Sequence, residues 1–341
     1  MSLSKIVPSI LLVLSLVGCG HKHNSWETGD YLVLDSIYCR DPFIVADKAT
    51  KTYYLYRSST TAEGLGGVEA FRSRDLEKWY GPERVFTVPA DNSLTGVVWA
   101  PEVHQYQGKW YLFATLNTDK TWADKVEGWP SFTYRGTQIF RSDSPSGPFL
   151  PLGKDVTTPK DYMALDGTLW VEDGVPYMVF CHEWVQIVDG TYEVISLKED
   201  LSGTIGEPTI LFKASDAKWT KGLSDWIDEN GDVRKSYVSD GPFLYRTSGG
   251  ELVMLWSSFK DSYCVGIARS VSGKLTGPWT CDDEPIIEED GGHSMLFRDF
   301  DGNINLVFHR PNSGFSHPVI LPVKDTGKTL EVALKEQGHN S

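Results

Sequence analysis

One short phrase occurs five times in this sequence, and it constrains the fold more than any other feature. Each copy is a polar opening, an apolar strand, a tight turn and a second apolar strand. The first runs from Arg40-Asp41-Pro42-Phe43-Ile44-Val45-Ala46, through a turn from Asp47 to Lys51, into Tyr53-Tyr54-Leu55-Tyr56. The second runs from Ala100-Pro101-Glu102-Val103 through Gln107-Gly108 into Trp110-Tyr111-Leu112-Phe113. The third opens on Asp166-Gly167-Thr168-Leu169-Trp170 and returns as Tyr177-Met178-Val179-Phe180. The fourth opens on Asp240-Gly241-Pro242-Phe243-Leu244 and returns as Leu252-Val253-Met254-Leu255-Trp256. The fifth opens on Gly292-His293-Ser294-Met295-Leu296-Phe297 and returns as Ile304-Asn305-Leu306-Val307-Phe308. Copies start roughly 50 to 75 residues apart, a spacing typical of repeat architectures. Their turns carry Gly, Asp and Asn, which tolerate the positive φ that tight hairpins demand.

A second phrase recurs between the hairpins. Arg72-Ser73, Arg141-Ser142 and Arg269-Ser270 are followed by Gly81-Pro82, Gly147-Pro148-Phe149 and Gly277-Pro278-Trp279. Two further strands fit in each interval. Four strands repeated five times, with no amphipathic helix of any length, predict an all-β fold: a five-bladed β-propeller whose four-stranded antiparallel blades surround a central funnel. A pair of β-sandwiches would give no reason for five similar hairpins. No linker or composition break divides the region, so residues 31–335 are expected to form one domain.

The start of the chain reads differently. Lys5 supplies a positive charge, Ile10 to Val17 is an apolar run too short to span a bilayer, and Gly18-Cys19 follows. This resembles a bacterial lipobox. It implies a signal peptide over 1–18, lipidation of Cys19, and a polar tether over 19–30. The expected product is an exported lipoprotein on the outer-membrane or periplasmic face, attached by lipid alone. The other cysteines, Cys39, Cys181, Cys264 and Cys281, show no metal-binding spacing and read as small buried side chains. A net charge of −14 argues against nucleic acid as a partner. Twelve Trp and 15 Tyr suit a carbohydrate partner, although most aromatics in a β-protein fill the core. Nothing in the sequence calls for an oligomer, and a monomer is expected.

In a propeller the innermost strand of each blade lines the axis, and its first residue opens onto one face. Those positions read Asp41, Pro101 or Glu102, Asp166, Asp240 and His293. Three carboxylates and a histidine from separate blades would therefore converge on one funnel. Their repulsion and partial burial should raise at least one pKa. Hydrolysis of a glycosidic bond needs such a pairing, one carboxylate ionised and another still protonated.

Arg40-Asp41-Pro42, Trp99-Ala100-Pro101-Glu102, Leu165-Asp166-Gly167, Asp240-Gly241-Pro242 and Gly291-Gly292-His293 together resemble the ordered motifs of glycoside hydrolase family 43. The resemblance covers nearly all of the chain after its leader. It implies an inverting glycosidase that removes α-L-arabinofuranosyl or β-D-xylosyl units from plant-type polysaccharides or oligosaccharides. It makes Asp41 the general base and Asp166 the residue that tunes and orients the acid. The family has Glu before Gly-Pro where this chain has Asp240, so the acid is contested between Asp240 and Glu183 of His182-Glu183-Trp184. Phe43, Trp99, Glu102, His182, Trp184, His293 and Arg310 are candidate substrate contacts. No cofactor is required, though the resemblance implies a structural calcium ion on the axis, held near His293 through water.

Two rivals remain at this level. One keeps the fold and processes fructosides or transfers glycosyl groups to phosphate, which would need a cluster of basic residues that the funnel positions lack. The other is a glycan-binding lipoprotein whose catalysis has weakened, favoured by the shorter acid at 240. Segments 118–135 and 213–236 carry Trp122, Trp129, Trp219 and Trp226 and are expected to wall the funnel, weakly favouring attack at chain ends.

Overall fold

The computed structural model of the protein describes residues 26–27, 29–122, 129–227 and 230–332. The signal segment 1–18, Cys19, most of the 19–30 tether and residues 333–335 of the expected domain lie outside the described residues. Five four-stranded antiparallel sheets follow one another along the chain and form a five-bladed propeller. Blade 1 contains β1 (Phe43–Asp47), β2 (Thr52–Thr60), β3 (Gly66–Ser73) and β4 (Tyr80–Thr87). Blade 2 contains β5 (Val97–Tyr106), β6 (Lys109–Thr121), β7 (Thr133–Ser142) and β8 (Leu150–Pro151). Blade 3 contains β9 (Ala164–Glu172), β10 (Val175–His182), β11 (Thr191–Leu197) and β12 (Thr204–Lys213). A small hairpin, β13 (Asp225–Ile227) with β14 (Val233–Lys235), precedes blade 4. Blade 4 contains β15 (Asp240–Arg246), β16 (Leu252–Phe259), β17 (Tyr263–Ser270) and β18 (Trp279–Cys281). Blade 5 contains β19 (Gly292–Arg298), β20 (Ile304–Arg310), β21 (His317–Asp325) and β22 (Leu330–Val332).

The hydrophobic pattern explains this layering. Second strands are packed on both faces by neighbouring blades, so β16 reads Leu-Val-Met-Leu-Trp and is buried along almost its whole length. Outer strands meet water; β4 is exposed over most of its length and carries Gly81, Glu83 and Arg84. The hairpin turns use Gly108, Gly174, Gly250 and Gly302 at φ between 74° and 94°, as the repeat predicts. Trp219 belongs to this packing. It is 4% exposed, with its ring centroid 4.9 Å from that of Trp256. It is a core residue between blades, which corrects the expectation that it walls the funnel.

One backbone detail decides where the functional side chains fall. Four inner strands carry a β-bulge in which two residues face one on the next strand. The first bulge residue has a left-handed φ: Ala100 at 41°, Asp166 at 55°, Gly241 at 54° and His293 at 51°. Asp41, just before β1, has φ 50° and is the corresponding residue of blade 1. The true ring is therefore Asp41, Ala100, Asp166, Gly241 and His293. Superposing the motifs by sequence put Pro101 or Glu102 and Asp240 in it, and the structure shifts both. The residues one step earlier form a second ring: Arg40, Trp99, Leu165, Asp240 and Gly292. A bulge adds a residue without changing the hydrophobic pattern, so periodicity alone cannot register it.

Backbone amides freed by the bulges are caught by the preceding blade. Asp166 donates to Thr115 Oγ1 at 2.8 Å, His293 to Ser257 Oγ at 2.8 Å, and Asp41 to His309 Nδ1 at 3.1 Å. The last pair spans the join between the first and last blades. Cys39 N–H donates to the Ser316 carbonyl across the same join at 2.9 Å.

Candidate active site

The two rings open into one pocket of about 940 Å³ on the face where the inner strands begin. That is the upper end of the ~300–1,000 Å³ usual for a ligand site. Asp41, Asp166, Asp240, Glu183 and His293 all line it, with Trp99 and Trp184 on the wall. Asp166 is 4% exposed at the floor and accepts the Gly241 amide at 3.0 Å. His293 Nδ1 stands 3.4 Å from Asp41 Oδ1 and 3.7 Å from Asp166 Oδ2. Asp240 accepts a hydrogen bond from the Tyr263 hydroxyl at 3.0 Å. Glu183 caps the short helix Trp184–Ile187 and is ion-paired with Arg135, whose guanidinium lies 4.5 Å from the centroid of the Trp99 ring.

Burial pushes every one of these carboxyl groups toward the protonated form, and the neighbours separate them. At Asp41 burial is outweighed by the charge of His293 and, beside it, Arg40, and its pKa falls below the ordinary value. At Asp166 burial is opposed by His293 and reinforced by Asp240 and Asp41, pushing it up to about 8. At Asp240 burial, countered by His293 and joined by repulsion from Asp41, raises the pKa despite the Tyr263 hydrogen bond. Burial of Glu183 outweighs Arg135 and brings it to about 7. His293 is raised: burial opposes its charge, but Asp41, Asp166, Asp240 and Glu102 together favour it. His309 is lowered by burial to about 4 and stays neutral, an acceptor for the Asp41 amide. The pKa of one carboxyl group is thus lowered beside others that are raised.

Four candidate contacts lie elsewhere. Phe43 is 5% exposed, its ring centroid 5.2 Å from that of His104 and 6.4 Å from that of Phe243, inside the core. Glu102 is 4% exposed and pairs with His104 Nε2 at 2.8 Å. His182 stacks on Tyr162 at 4.0 Å and bonds Glu193 and Gln186 behind the pocket. Arg310 pairs with Glu289 at 3.3 Å. None of the four lines the pocket. Only His182 directly adjoins a pocket residue, Glu183, and there the strand pleat turns neighbours to opposite sides. Trp129 is buried, with ring centroids 5.3 Å from Trp184 and 4.6 Å from Trp226, so it braces the pocket wall from behind.

Other residues reach the site without having been singled out. Arg40 bonds the Asn312 backbone and side chain, and Tyr38, Arg57 and Tyr263 also line the pocket. Arg40 stands inside the first motif and was legible there. Tyr263 sits on a third strand, outside the repeated hairpin, and carried no signal. Arg40 and Arg57 bring cations to the wall that the funnel positions alone did not show. Both are engaged by protein, Arg40 with Asn312 and Arg57 with Glu69 at 3.0 Å. All four described cysteines are free, and burial pushes the thiols of Cys39 and Cys181 up, away from nucleophilic use. Among the described residues no group of three or more His, Cys, Asp or Glu is arranged to hold a metal ion directly. His293 faces carboxylates that it neutralises. The donor set does not fit a calcium ion ligated directly by the protein; the expected ion, held near His293 through water, needs no such set.

The family model for glycosyl hydrolases family 43 matches residues 35–330. The chain belongs to that family. An endo-arabinase from Bacteroides thetaiotaomicron VPI-5482 superposes with a TM-score of 0.76 at 38% identity, over 89% of this family-43 chain and 100% of that one. An endo-1,4-beta-xylanase from the same organism, at 21% identity and TM-score 0.66 over 88% and 96% of the two chains, shares the fold. The extracellular exo-alpha-(1->5)-L-arabinofuranosidase of Streptomyces avermitilis is 24% identical over 298 residues, 80% of this chain and 54% of its own. Alpha-L-arabinofuranosidase 43 of Humicola insolens is 23% identical over 228 residues, 63% of this chain and 43% of its own. The family-43 chain spans about half the length of the curated relatives it matches.

Proposed function

We propose that this chain is an inverting glycosidase acting on α-L-arabinofuranosyl linkages of arabinan-type chains, with β-D-xylosyl linkages as the alternative substrate. The observation that carries the reading is one pocket holding Asp41, whose pKa is lowered chiefly by His293 and Arg40, together with Asp240, whose pKa is raised by burial and by Asp41. Asp41 takes a proton from a water molecule as that water attacks the anomeric carbon. Asp240 delivers its proton to the glycosidic oxygen as the carbon–oxygen bond breaks, and the configuration inverts. Asp166, bound to the Gly241 amide beside Asp240, fixes the bulge that presents the acid.

Glu183 is the second acid candidate because its pKa near 7 also suits proton donation. Its ion pair with Arg135 favours Asp240 instead, since a guanidinium stabilises the carboxylate rather than the acid. Glu183 then holds Arg135 and Trp99 in place as the sugar-binding wall.

Incubation with aryl α-L-arabinofuranosides, aryl β-D-xylosides and linear arabinan tests the reading, with proton NMR following the anomer released first. Release of the inverted anomer from arabinosyl substrates is expected. Sugar binding without turnover on any of them would instead support a glycan-binding lipoprotein.

Export and lipid attachment are part of the same proposal. The apolar run Ile10–Val17 ending at Gly18-Cys19 supports them, and two relatives are named extracellular enzymes. Cys19→Ala should move the protein from the detergent phase to the soluble fraction and abolish incorporation of labelled palmitate. Unchanged labelling in that variant would remove Cys19 as the anchor.

A further inference from the structure

We propose that Tyr263 is the positioning residue for the acid, its phenol pinning the shorter Asp240 carboxyl so that the other oxygen faces the scissile bond. The inference rests on the reading of Asp240 as the acid. Tyr263 is the first residue of β17, is 2% exposed, and donates its hydroxyl to Asp240 Oδ2 at 3.0 Å. Two features of the surroundings exist to let it reach that position. A Cβ on Gly292 would come within 2.1 Å of the Tyr263 ring, so only glycine leaves the slot the ring occupies. The ring's face also stacks on His309, with centroids 5.7 Å apart and planes 24° from parallel. His309 in turn accepts the Asp41 amide. Acid and base are thereby braced by one slab of two rings.

The backbone of Asp240 is held as tightly as its side chain. Its amide donates to the Tyr192 hydroxyl at 3.0 Å, and that hydroxyl donates to the Ser257 carbonyl at 3.2 Å. With the main chain fixed by Tyr192 and one oxygen fixed by Tyr263, a single carboxyl oxygen is left to face the pocket. An aspartate has one fewer rotatable bond than a glutamate. Once pinned, it presents one geometry and loses little entropy in the transition state.

The charged and titratable groups around Asp240 are Asp41 and Arg40 ahead of β1, Asp166 on β9, Glu183 after β10, Tyr192 on β11 and His293 on β19. Cys181 on β10 and Tyr263 on β17 complete the set, and among the described residues Tyr263 gives the Asp240 side chain its hydrogen bond, which favours the ionised form.

The experiment is Tyr263→Phe, which keeps the ring in the Gly292 slot and removes only the hydroxyl. Alkyl arabinosides and arabinan should lose about tenfold in kcat, with KM nearly unchanged. Aryl substrates with good leaving groups should lose less than about twofold, because they need little protonation. The alkaline limb of kcat/KM should move to higher pH, since the ionised acid has lost its donor. In an Asp240→Asn background the second change should cost nothing further. A thermal melt reports whether each variant is folded. Equal losses on both substrate classes, an unmoved alkaline limb, or full additivity with Asp240→Asn would each overturn the proposal. A wild-type protein that turns over none of these substrates would instead overturn the glycosidase reading on which it rests.

Discussion

Asp41→Asn should lower kcat on arabinosyl substrates by about 10³–10⁴-fold while leaving the melting temperature within a few degrees of wild type. General base catalysis by a positioned carboxylate contributes about 10²–10⁴-fold, and an amide cannot take a proton from water. The position also binds the fold, because the Asp41 amide donates to His309 Nδ1 across the ring closure, with the carboxylate 3.3 Å from the same nitrogen. Asparagine keeps that amide and tolerates the φ of 50° better than most residues. The chemistry and the fold are therefore separable here. One compensation adds to this expectation: removing the negative charge relieves repulsion on Asp166 and Asp240, whose pKa values should both fall. Activity within tenfold of wild type would remove Asp41 from the mechanism.

The second large effect separates the two acid candidates. Asp240→Asn should cost about 10²–10⁴-fold on alkyl glycosides and polymer, and much less on aryl glycosides whose leaving groups depart without a proton. Glu183→Gln should lose activity evenly on both classes, mostly as a higher KM, because it releases Arg135 from the wall beside Trp99. The reverse pattern would transfer the acid role to Glu183. The pH profile follows from the same groups. Activity needs Asp41 ionised and Asp240 protonated. Asp41 is depressed, so the acid limb should lie below the usual carboxylate range. Asp240 is raised and interacts with Asp166, itself near 8, so the alkaline limb belongs to the pair and should fall in the neutral to mildly alkaline range. In Asp240→Asn that limb should vanish, while in Glu183→Gln it should persist.

Asp166 shows why three carboxyl groups are needed rather than two. It is the most buried of the set, and one of its oxygens is committed to the Gly241 amide, so it does not face the pocket as freely as Asp41. Its influence on Asp240 is through the bulge, whose Gly241 amide it accepts. His293 balances the group: its raised pKa favours a positive charge among the three acids, and its Nδ1 is shared between Asp41 and Asp166.

Much of this protein could be read directly from its residues. Five hairpins with tight polar turns, four of them with glycine, imply five blades, since an apolar second strand can be satisfied only by packing between neighbours. The same repetition gathers Asp41, Asp166 and His293 at one mouth, because inner strands of a propeller must begin on a common face. Local pattern suffices for both conclusions, as each depends on period and order alone. The tertiary structure decided everything that depends on a shift of one residue or on partners distant in sequence. The bulges moved Asp240 and Glu102 out of the inner ring, because an extra unpaired residue leaves the hydrophobic alternation unchanged. Phe43 packed into the core, His182 turned behind the pocket with the pleat, and Arg310 paired with Glu289. Tyr263, His309 and Arg135 meet Asp240, Asp41 and Glu183 only where strands from different parts of the chain come together. Those meetings separate the pKa values. A sequence can show that carboxyl groups converge, but which one keeps its proton is set by neighbours that only the folded chain supplies.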